Sequence, residues 1–160
     1  MIKKLTLCSV ICALFFITAC SDDEVSNEEL IRQAIDSATL AAENRSHDDL
    51  ALLIDETYRD HKGIGKQQLI NQLRTYFFMH KNIHLFTKVD DVVFNDGQSK
   101  AAVTLYVAMA GNVIADAGAL AGLRARIYKF ELQFAKQETW LLTQAKWQRS
   151  SFKDMVKVKY

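Results

Sequence analysis

A chain of 160 residues, 49% of them hydrophobic, is long enough for one domain with its own core. Its 20 lysine and arginine residues nearly balance its 19 aspartate and glutamate residues, which gives a formal net charge of +1. Nucleic acid is therefore not an expected partner, because phosphate backbones are bound by clusters of basic residues. The chain has only a modest basic end at Lys153, Lys157 and Lys159.

The N-terminus has the organisation of an export signal. Lys3 and Lys4 form a charged start, and an apolar run of about 15 residues follows from Leu5 to Ala19. That length suits a signal peptide and is shorter than the roughly 20 residues needed to cross a bilayer. The alternative, a transmembrane anchor, is disfavoured because the acidic residues 22–24 stop the apolar run at once.

The end of this signal, Ile17-Thr18-Ala19-Cys20, resembles the bacterial lipobox. In that motif an aliphatic residue and two small residues precede the cysteine that is acylated and becomes the new N-terminus. We therefore expect residues 1–19 to be removed, Cys20 to carry lipid, and residues 20–26 to tether the folded domain to a membrane.

The residues after the lipidated cysteine bear on which membrane holds it. By resemblance to enterobacterial sorting rules, Ser21 in place of an aspartate favours the outer membrane, with the domain facing the periplasm. Asp22 at the next position keeps the inner membrane as an alternative. Cys8 and Cys12 leave with the signal, so the mature chain has no thiol for a disulfide, a metal or a nucleophile. Removing the signal also removes two lysines and no acidic residue, so the mature net charge is −1.

The first half of the mature chain predicts helices. Ser26 and Glu29 have the spacing of a capping box, and apolar residues then recur at helical spacing, which predicts a helix over 27–44. Ser46 caps a second, short helix that we expect to end near Tyr58. A loop over 60–65 follows, and a third helix is predicted from about Lys66 to His80.

The second half predicts strands that pair as an antiparallel meander. Alternating apolar and polar residues, with an Asn95-Asp96-Gly97 hairpin turn, predict strands over 84–94, 101–109, 126–134 and 140–149. Trp140 and Trp147 are seven residues apart, so they lie on opposite faces unless a bulge intervenes. The remaining residues, 151–160, are polar and predict a loosely held tail.

Helices followed by a meander give an α+β fold, with the N-terminal helices packed on one face of a curved antiparallel sheet. This order resembles the nuclear-transport-factor-2-like superfamily, the cystatin-like cone that ketosteroid isomerases share. The phrase from Trp140 to Trp147, with the pattern W-x-x-x-x-A-x-W, is similar to the ending of a group of uncharacterised proteobacterial lipoproteins with this fold. Tyr76 to His80 and Val107 to Gly111 are similar to the same group. The resemblance covers residues 27–150.

The resemblance implies a cone whose open end can hold a small apolar ligand. Members of the superfamily include isomerases, dehydratases, cyclases, transport factors and pure dimer modules, so the fold does not choose among these functions. Its enzymes place Asp, His or Tyr inside the cone, and none of their constellations maps onto this chain residue by residue.

The densest polar cluster of the sequence comprises Tyr58, Arg59, Asp60 and His61. If it lies at the cone mouth, Asp60 or Asp55 could act as a base, with Tyr76, Tyr106 or Tyr128 as hydrogen-bond donors. Tyr58 and His61 are candidates alongside these two carboxylates. The alternative is a helix end capped by its own side chains, with Asp60 paired to a nearby arginine, and the sequence favours it.

Five residues are expected to line a ligand pocket in the cone: Tyr76, His80, Tyr106, Tyr128 and Trp147. Their alternative role is to fill the core. His80 and His84 are four residues apart, but a third ligand such as His61 would have to come from elsewhere, and no closed-site spacing is present. We therefore expect no metal and no cofactor.

The sequence leaves three functions open. The leading one is a noncatalytic, periplasm-facing lipoprotein that binds a small apolar ligand or another envelope protein. The second is a small isomerase, dehydratase or hydrolase that uses a pocket carboxylate with a tyrosine. The third is a homodimer that uses its sheet face as the interface.

Overall fold

The computed structural model describes residues 25–116, 118, 120 and 125–157. The predicted signal peptide, Cys20 and most of the predicted tether lie outside this range, as does part of the loop between the second and third meander strands. All helices and strands named below fall between Asn27 and Val156. No helix within the described residues is long and apolar enough to cross a membrane.

The first helix, α1, spans Asn27–Glu43 and agrees with the sequence prediction. Its N-cap is Ser26, whose hydroxyl oxygen accepts a hydrogen bond of 3.1 Å from the amide of Glu29. This bond satisfies one of the donors that every helix start leaves free. Ile31 and Ile35 lie one turn apart on the buried face, so α1 is held by its apolar stripe against the sheet.

The second helix ends earlier than predicted, and a strand follows it. Helix α2 spans His47–Leu52, and strand β1 spans Ile54–Asp60. The prediction of a helix to about Tyr58 was therefore wrong. The pairing of this segment with β5 begins at Leu53, whose carbonyl accepts a hydrogen bond from the amide of Leu142. The β-branched and aromatic side chains that follow Leu53 favour a strand.

Helix α3 spans Lys66–Met79, close to the predicted bounds. The remaining strands are β2 (His84–Phe94), β3 (Lys100–Ala110), β4 (Arg126–Lys136) and β5 (Trp140–Arg149). The sheet order is β1-β5-β4-β3-β2, with β2 to β5 antiparallel and β1 parallel to β5. The α+β class is confirmed, and the sheet is mixed rather than purely antiparallel because of β1.

A bulge in β5 decides where its two tryptophans point. Opposite β4, the pairing of β5 shifts by one residue between Gln144 and Leu142. Trp140 and Trp147 consequently face Lys136 and Phe130 of β4, which are six residues apart and share a face. Both tryptophans therefore lie on the inner face of the sheet, the case in which a bulge intervenes.

The inner face carries the main core. Trp140 and Phe134 pack with Ile31 and Ile35 of α1 at one end of the sheet, and Leu105 extends this cluster along β3. A second cluster joins β1 and β5 to α3. Helices therefore cover the inner face at one end and along one side.

Part of the outer face is covered by the C-terminal segment, which forms a fourth helix. Helix α4 spans Phe152–Val156, and its Met155 is fully buried against Ala108 and Ile127. Lys88 of β2 donates a hydrogen bond of 2.7 Å to the carbonyl of Met155, which fixes the end of the helix. The prediction of a loosely held tail over 151–160 was wrong for this segment, because one apolar side chain fills a groove on the sheet.

Helix α1 runs between the two ends of the cone. At its start, Asn27 donates to the side chain of Gln98 in the β2–β3 turn and accepts from Lys136 at the β4–β5 turn. At its end, the Glu43 carboxylate accepts the amide of Leu85 at the start of β2. The end with the turns is filled by the core, and the other end, where β2 begins and β3 ends, is open.

Candidate functional site

A cavity of about 430 Å³ occupies the open end of the cone. This volume lies within the range of pockets that hold small molecules. Its floor is aromatic, because Phe130 of β4 and Trp147 of β5 are directly paired across the sheet. Their ring centroids are 6.1 Å apart, and Tyr128 continues the row with a centroid 6.5 Å from that of Phe130.

The end of α3 forms one wall of the cavity through Tyr76 and His80. These residues are one helical turn apart, and their rings stack with centroids 4.0 Å apart. The Nδ1 atom of His80 lies 2.9 Å from the carbonyl oxygen of Tyr76. Because a carbonyl only accepts, Nδ1 carries the proton in this bond, and Nε2 is left as the second polar atom of the ring.

The rim of the cavity comes from the strand ends. Asn82 and Ile83 precede β2, and Met109 and Gly111 lie at the end of β3. Arg126 starts β4 directly opposite Met109. Among the described residues that line the cavity, Arg126 is the one fixed charge, and none is an aspartate or a glutamate.

Four of the five residues expected to line a ligand pocket meet at this cavity. Tyr76, His80, Tyr128 and Trp147 all line it. Tyr106 does not, because it pairs with Lys88 and Lys129 and packs against the outer-face cluster under α4. The prediction that Tyr106 lines the pocket was therefore wrong, because the register of β3 against β4 places Tyr106 and Tyr128 on opposite faces of the sheet.

Asp55 lies in β1, buried and away from the residues that line the cavity. Its Oδ1 accepts the amide and the hydroxyl of Thr57, and its Oδ2 accepts from Gln137 at 2.5 Å. These bonds, led by the Thr57 hydroxyl, hold the pKa of Asp55 below its usual value. A carboxylate with a lowered pKa and occupied oxygens is a poor base, so the geometry assigns Asp55 a structural role.

Asp60 ends β1 and organises the loop that follows. Its Oδ1 accepts the amides of Lys62 and Ile64, both at 2.8 Å. The sequence alternative, a helix end with Asp60 paired to an arginine, was wrong, because Asp60 ends a strand and its bonds go to backbone amides of the loop. Its Oδ2 is buried and has no hydrogen-bond partner among the described residues. Asp60 does not line the cavity.

Tyr58 and His61 also lie beside the cavity rather than in its lining. Burial, with a smaller contribution from the negative charge of Asp60, raises the pKa of Tyr58 to about 12, so its hydroxyl stays protonated near neutral pH. His61 meets the ring of Trp147 edge-on, with centroids 4.6 Å apart. These neighbours pack against the part of the floor that Trp147 forms, on its side away from the cavity.

The sequence analysis missed several residues that line the cavity. Among them are the polar residues Arg126 and Asn82 and the flexible side chain of Met109. The signal that could have found Arg126 is its spacing from Tyr128, since residues two apart on a strand share a face. Met109 would then follow from the pairing of β3 with β4, which the sequence does not give directly.

Apolar side chains lie exposed next to the mouth. Phe78, at the end of α3, is 87% exposed, and its neighbour Met79 is also exposed. Val113, two residues beyond Gly111 of the cavity rim, is exposed as well. No group of three or more His, Cys, Asp or Glu residues that could hold a metal ion occurs in the described part of the chain.

Comparisons of the sequence find no matching family model and no similar curated protein. Comparisons of the structure do find similar folds. A candidate scytalone dehydratase from Novosphingobium aromaticivorans superposes with a TM-score of 0.64 at 11% identity, covering 78% of this chain and 84% of that one. The protein has the nuclear-transport-factor-2-like fold.

Two further solved structures are similar to this chain. A candidate dehydratase of the nuclear-transport-factor-2-like family from Streptomyces avermitilis has a TM-score of 0.61 at 15% identity, covering 78% of this chain and 97% of its own. Bd1075 from Bdellovibrio bacteriovorus has a TM-score of 0.58 at 10% identity. The similarity covers 75% of this chain and 40% of that longer one. At these identities the similarity establishes only that this chain has the nuclear-transport-factor-2-like fold. Its function has to be inferred from the residues of the site.

Proposed function

We propose that this protein is a noncatalytic, membrane-anchored lipoprotein of the cell envelope that binds a small apolar ligand in the cavity at the open end of its cone. The observation that carries the proposal is the composition of the cavity. Its floor is aromatic, its wall is the stacked pair Tyr76 and His80, and no carboxylate lines it among the described residues. Such a surface gains free energy by removing apolar area from water.

The position of the carboxylates supports binding over catalysis. Acid–base catalysis on a bound ligand needs a group within hydrogen-bond reach of the reacting atom. The oxygens of Asp55 are all engaged by Thr57 and Gln137, and Asp60 uses one oxygen to hold its own loop. Neither carboxylate belongs to the cavity lining.

The anchor is proposed from the lipobox at Cys20, and the fold gives it a geometric consequence. Helix α1 begins at the filled end of the cone and is about 25 Å long, at 1.5 Å per residue. The tether of residues 20–26 would therefore join the domain at the end opposite the cavity mouth. With the lipid in the outer membrane, as Ser21 favours, the mouth would face the periplasm.

Native mass spectrometry tests whether the domain carries a ligand. The chain from Ser21 onward keeps every helix and strand of the fold, so it can be produced without lipid and measured after gentle purification from bacteria. We expect a population with a small apolar molecule attached, and we expect the Trp147→Ala variant to lose it. A wild-type protein that never carries a ligand and binds none of a panel of apolar molecules would contradict the proposal.

A small enzyme is the second candidate. It is favoured by the buried, unpartnered Oδ2 of Asp60 and by the two structural neighbours named as candidate dehydratases. In this case Asp60 would act as the base and Tyr58 as a hydrogen-bond donor. Incubating the wild type and the Asp60→Asn variant with hydroxylated apolar compounds distinguishes the two proposals, because turnover that depends on Asp60 would show an enzyme.

A homodimer or an envelope-protein complex remains the third candidate. Helix α4 occupies part of the outer sheet face, which leaves less apolar surface there for a second copy. The exposed apolar residues beside the mouth, Phe78, Met79 and Val113, offer a different contact surface. Light scattering of the chain from Ser21 onward gives the oligomeric state directly, and a dimer that dissociates in the Phe78→Ser variant would favour this candidate.

A further inference from the structure

We infer that the ligand of this cavity is an amphiphile with a carboxylate head group, whose apolar part lies on the aromatic floor and whose carboxylate is bound by Arg126 at the rim. This inference rests on the proposed function and specifies the chemical class of its ligand. It follows from how apolar and charged groups are distributed along the cavity.

The apolar part of the ligand is set by the floor. Phe130 and Trp147 form the apolar floor, and Met109 and Ile83 add apolar surface at the rim. None of these side chains bears a charge, so the deep part of the cavity favours hydrocarbon over a polar group, which would lose its hydrogen bonds to water there.

The head group is set by Arg126. This residue is exposed at the rim, and its side chain forms no hydrogen bond or ion pair with another residue in the part of the chain that the structure describes. A guanidinium presents a planar fork of N–H donors that fits both oxygens of one carboxylate. The neutral donors of Tyr76 and Asn82 line the same cavity and can complete the set.

The charge balance favours a carboxylate over a phosphate ester. One fixed positive charge lines the cavity, and it matches the single negative charge of a carboxylate. A phosphate monoester carries between about −1.5 and −2 at neutral pH and would keep part of its charge uncompensated at this rim. An uncharged alcohol of the same chain length would use the floor and leave the guanidinium unpaired.

The test compares decanoate, decyl phosphate and decanol as ligands of the chain from Ser21 onward. Binding is followed by tryptophan fluorescence, because Trp147 lines the cavity while Trp140 is buried in the core at the other end. We expect decanoate to bind about tenfold more tightly than decanol, the factor that one charge-assisted hydrogen bond contributes. Decyl phosphate is expected to bind more weakly than decanoate.

Variants at Arg126 separate the head-group contact from the apolar contact. Arg126→Gln should weaken decanoate binding about tenfold and leave decanol binding unchanged, and Arg126→Lys should restore part of the preference. Arg32→Gln is the matched control, because Arg32 is an exposed arginine on α1 whose contact is the neighbouring Glu28. This control should bind all three ligands as the wild type does.

Each outcome bears on one claim. Equal affinities for decanoate and decanol, or an equal loss of both in Arg126→Gln, would overturn the carboxylate inference and leave the apolar cavity in place. Tighter binding of decyl phosphate would likewise overturn it. Failure of all three ligands to bind the wild type would instead overturn the proposed function itself.

Discussion

Replacing Met155 with alanine should destabilise the domain, even though this residue lies in a short polar segment at the C-terminal end of the chain. Met155 is fully buried in the outer-face cluster with Ala108, Leu120 and Ile127. The substitution removes three heavy atoms beyond Cβ. At about 0.8 kcal/mol for each methylene-sized group, the transfer contribution is roughly 2.4 kcal/mol.

The cavity left behind adds to this loss, so we expect the free energy of unfolding to fall by about 2–3 kcal/mol, toward the lower part of the range for methionine-to-alanine changes. That is a large share of the roughly 5–15 kcal/mol that stabilises a typical domain. With a urea m-value of about 2 kcal/mol per molar, the unfolding midpoint should move down by about 1–1.5 M. Circular dichroism against urea measures this shift.

Two further variants show whether the loss of stability comes from the packing of Met155. Val156→Ala is the matched control on α4, because Val156 is 39% exposed and its truncation should lower the unfolding free energy by less than about 1 kcal/mol. A chain ending at Ser150 lacks the whole of α4. If the Met155→Ala change only releases α4 from the sheet, the free energy of unfolding of that variant should not be lower than that of the truncated chain. An unfolding midpoint equal to that of the wild type would refute the packing of Met155 on the sheet.

Three other perturbations test separate parts of the structure. Asp55→Asn should lower stability at neutral pH by about 1–2 kcal/mol by removing charge-assisted hydrogen bonds. Because the folded pKa of Asp55 is lowered, its contribution is present above the unfolded value of about 3.9 and is lost as the pH falls through the folded value. Urea unfolding of both proteins from pH 7 to pH 2 should show the difference shrinking with acid, and a constant difference would contradict this. Trp147→Ala should weaken decanoate binding at least tenfold by calorimetry while circular dichroism stays native, and unchanged affinity would remove Trp147 from the site. Cys20→Ala should abolish palmitate labelling and membrane association in cells, and a protein still labelled or bound would contradict the lipid anchor.

The meander could be read from the sequence because its information is local. Val103 and Leu105 alternate with Thr104 and Tyr106, and Asn95 to Gly97 marks the hairpin turn, so each strand carries its own signal. Helix α1 was equally predictable, from its N-cap residue Ser26 and its apolar stripe. These elements need no knowledge of a distant partner.

Strand β1 could not be read in the same way. Its residues include Asp55 and Glu56, which lower its apparent strand character, and its hydrogen bonds come from β5, more than 80 residues away along the chain. The resulting parallel pairing places it at the edge of the sheet. Helix α4 was missed for a similar reason, because the apolar residues Phe152, Met155 and Val156 are interspersed with charged ones, and only the groove on the sheet explains the burial of Met155.

The site was partly accessible to sequence reasoning. Aromatic residues in the second half predicted an apolar pocket, and Tyr128 and Trp147 do line one cavity. The exclusion of Tyr106 required the register of β3 against β4, which places it opposite Lys129 rather than Tyr128. Arg126 was passed over because an arginine at a strand end looks like ordinary solvent-exposed charge until the cavity beside it is known.

A crystal structure of the chain from Ser21 onward, grown with decanoate, tests the binding account most directly. The account predicts the hydrocarbon chain between Met109 and Trp147 and the carboxylate against the guanidinium of Arg126. A cavity that stays filled by solvent at saturating ligand, or decanoate bound elsewhere on the domain, would contradict it.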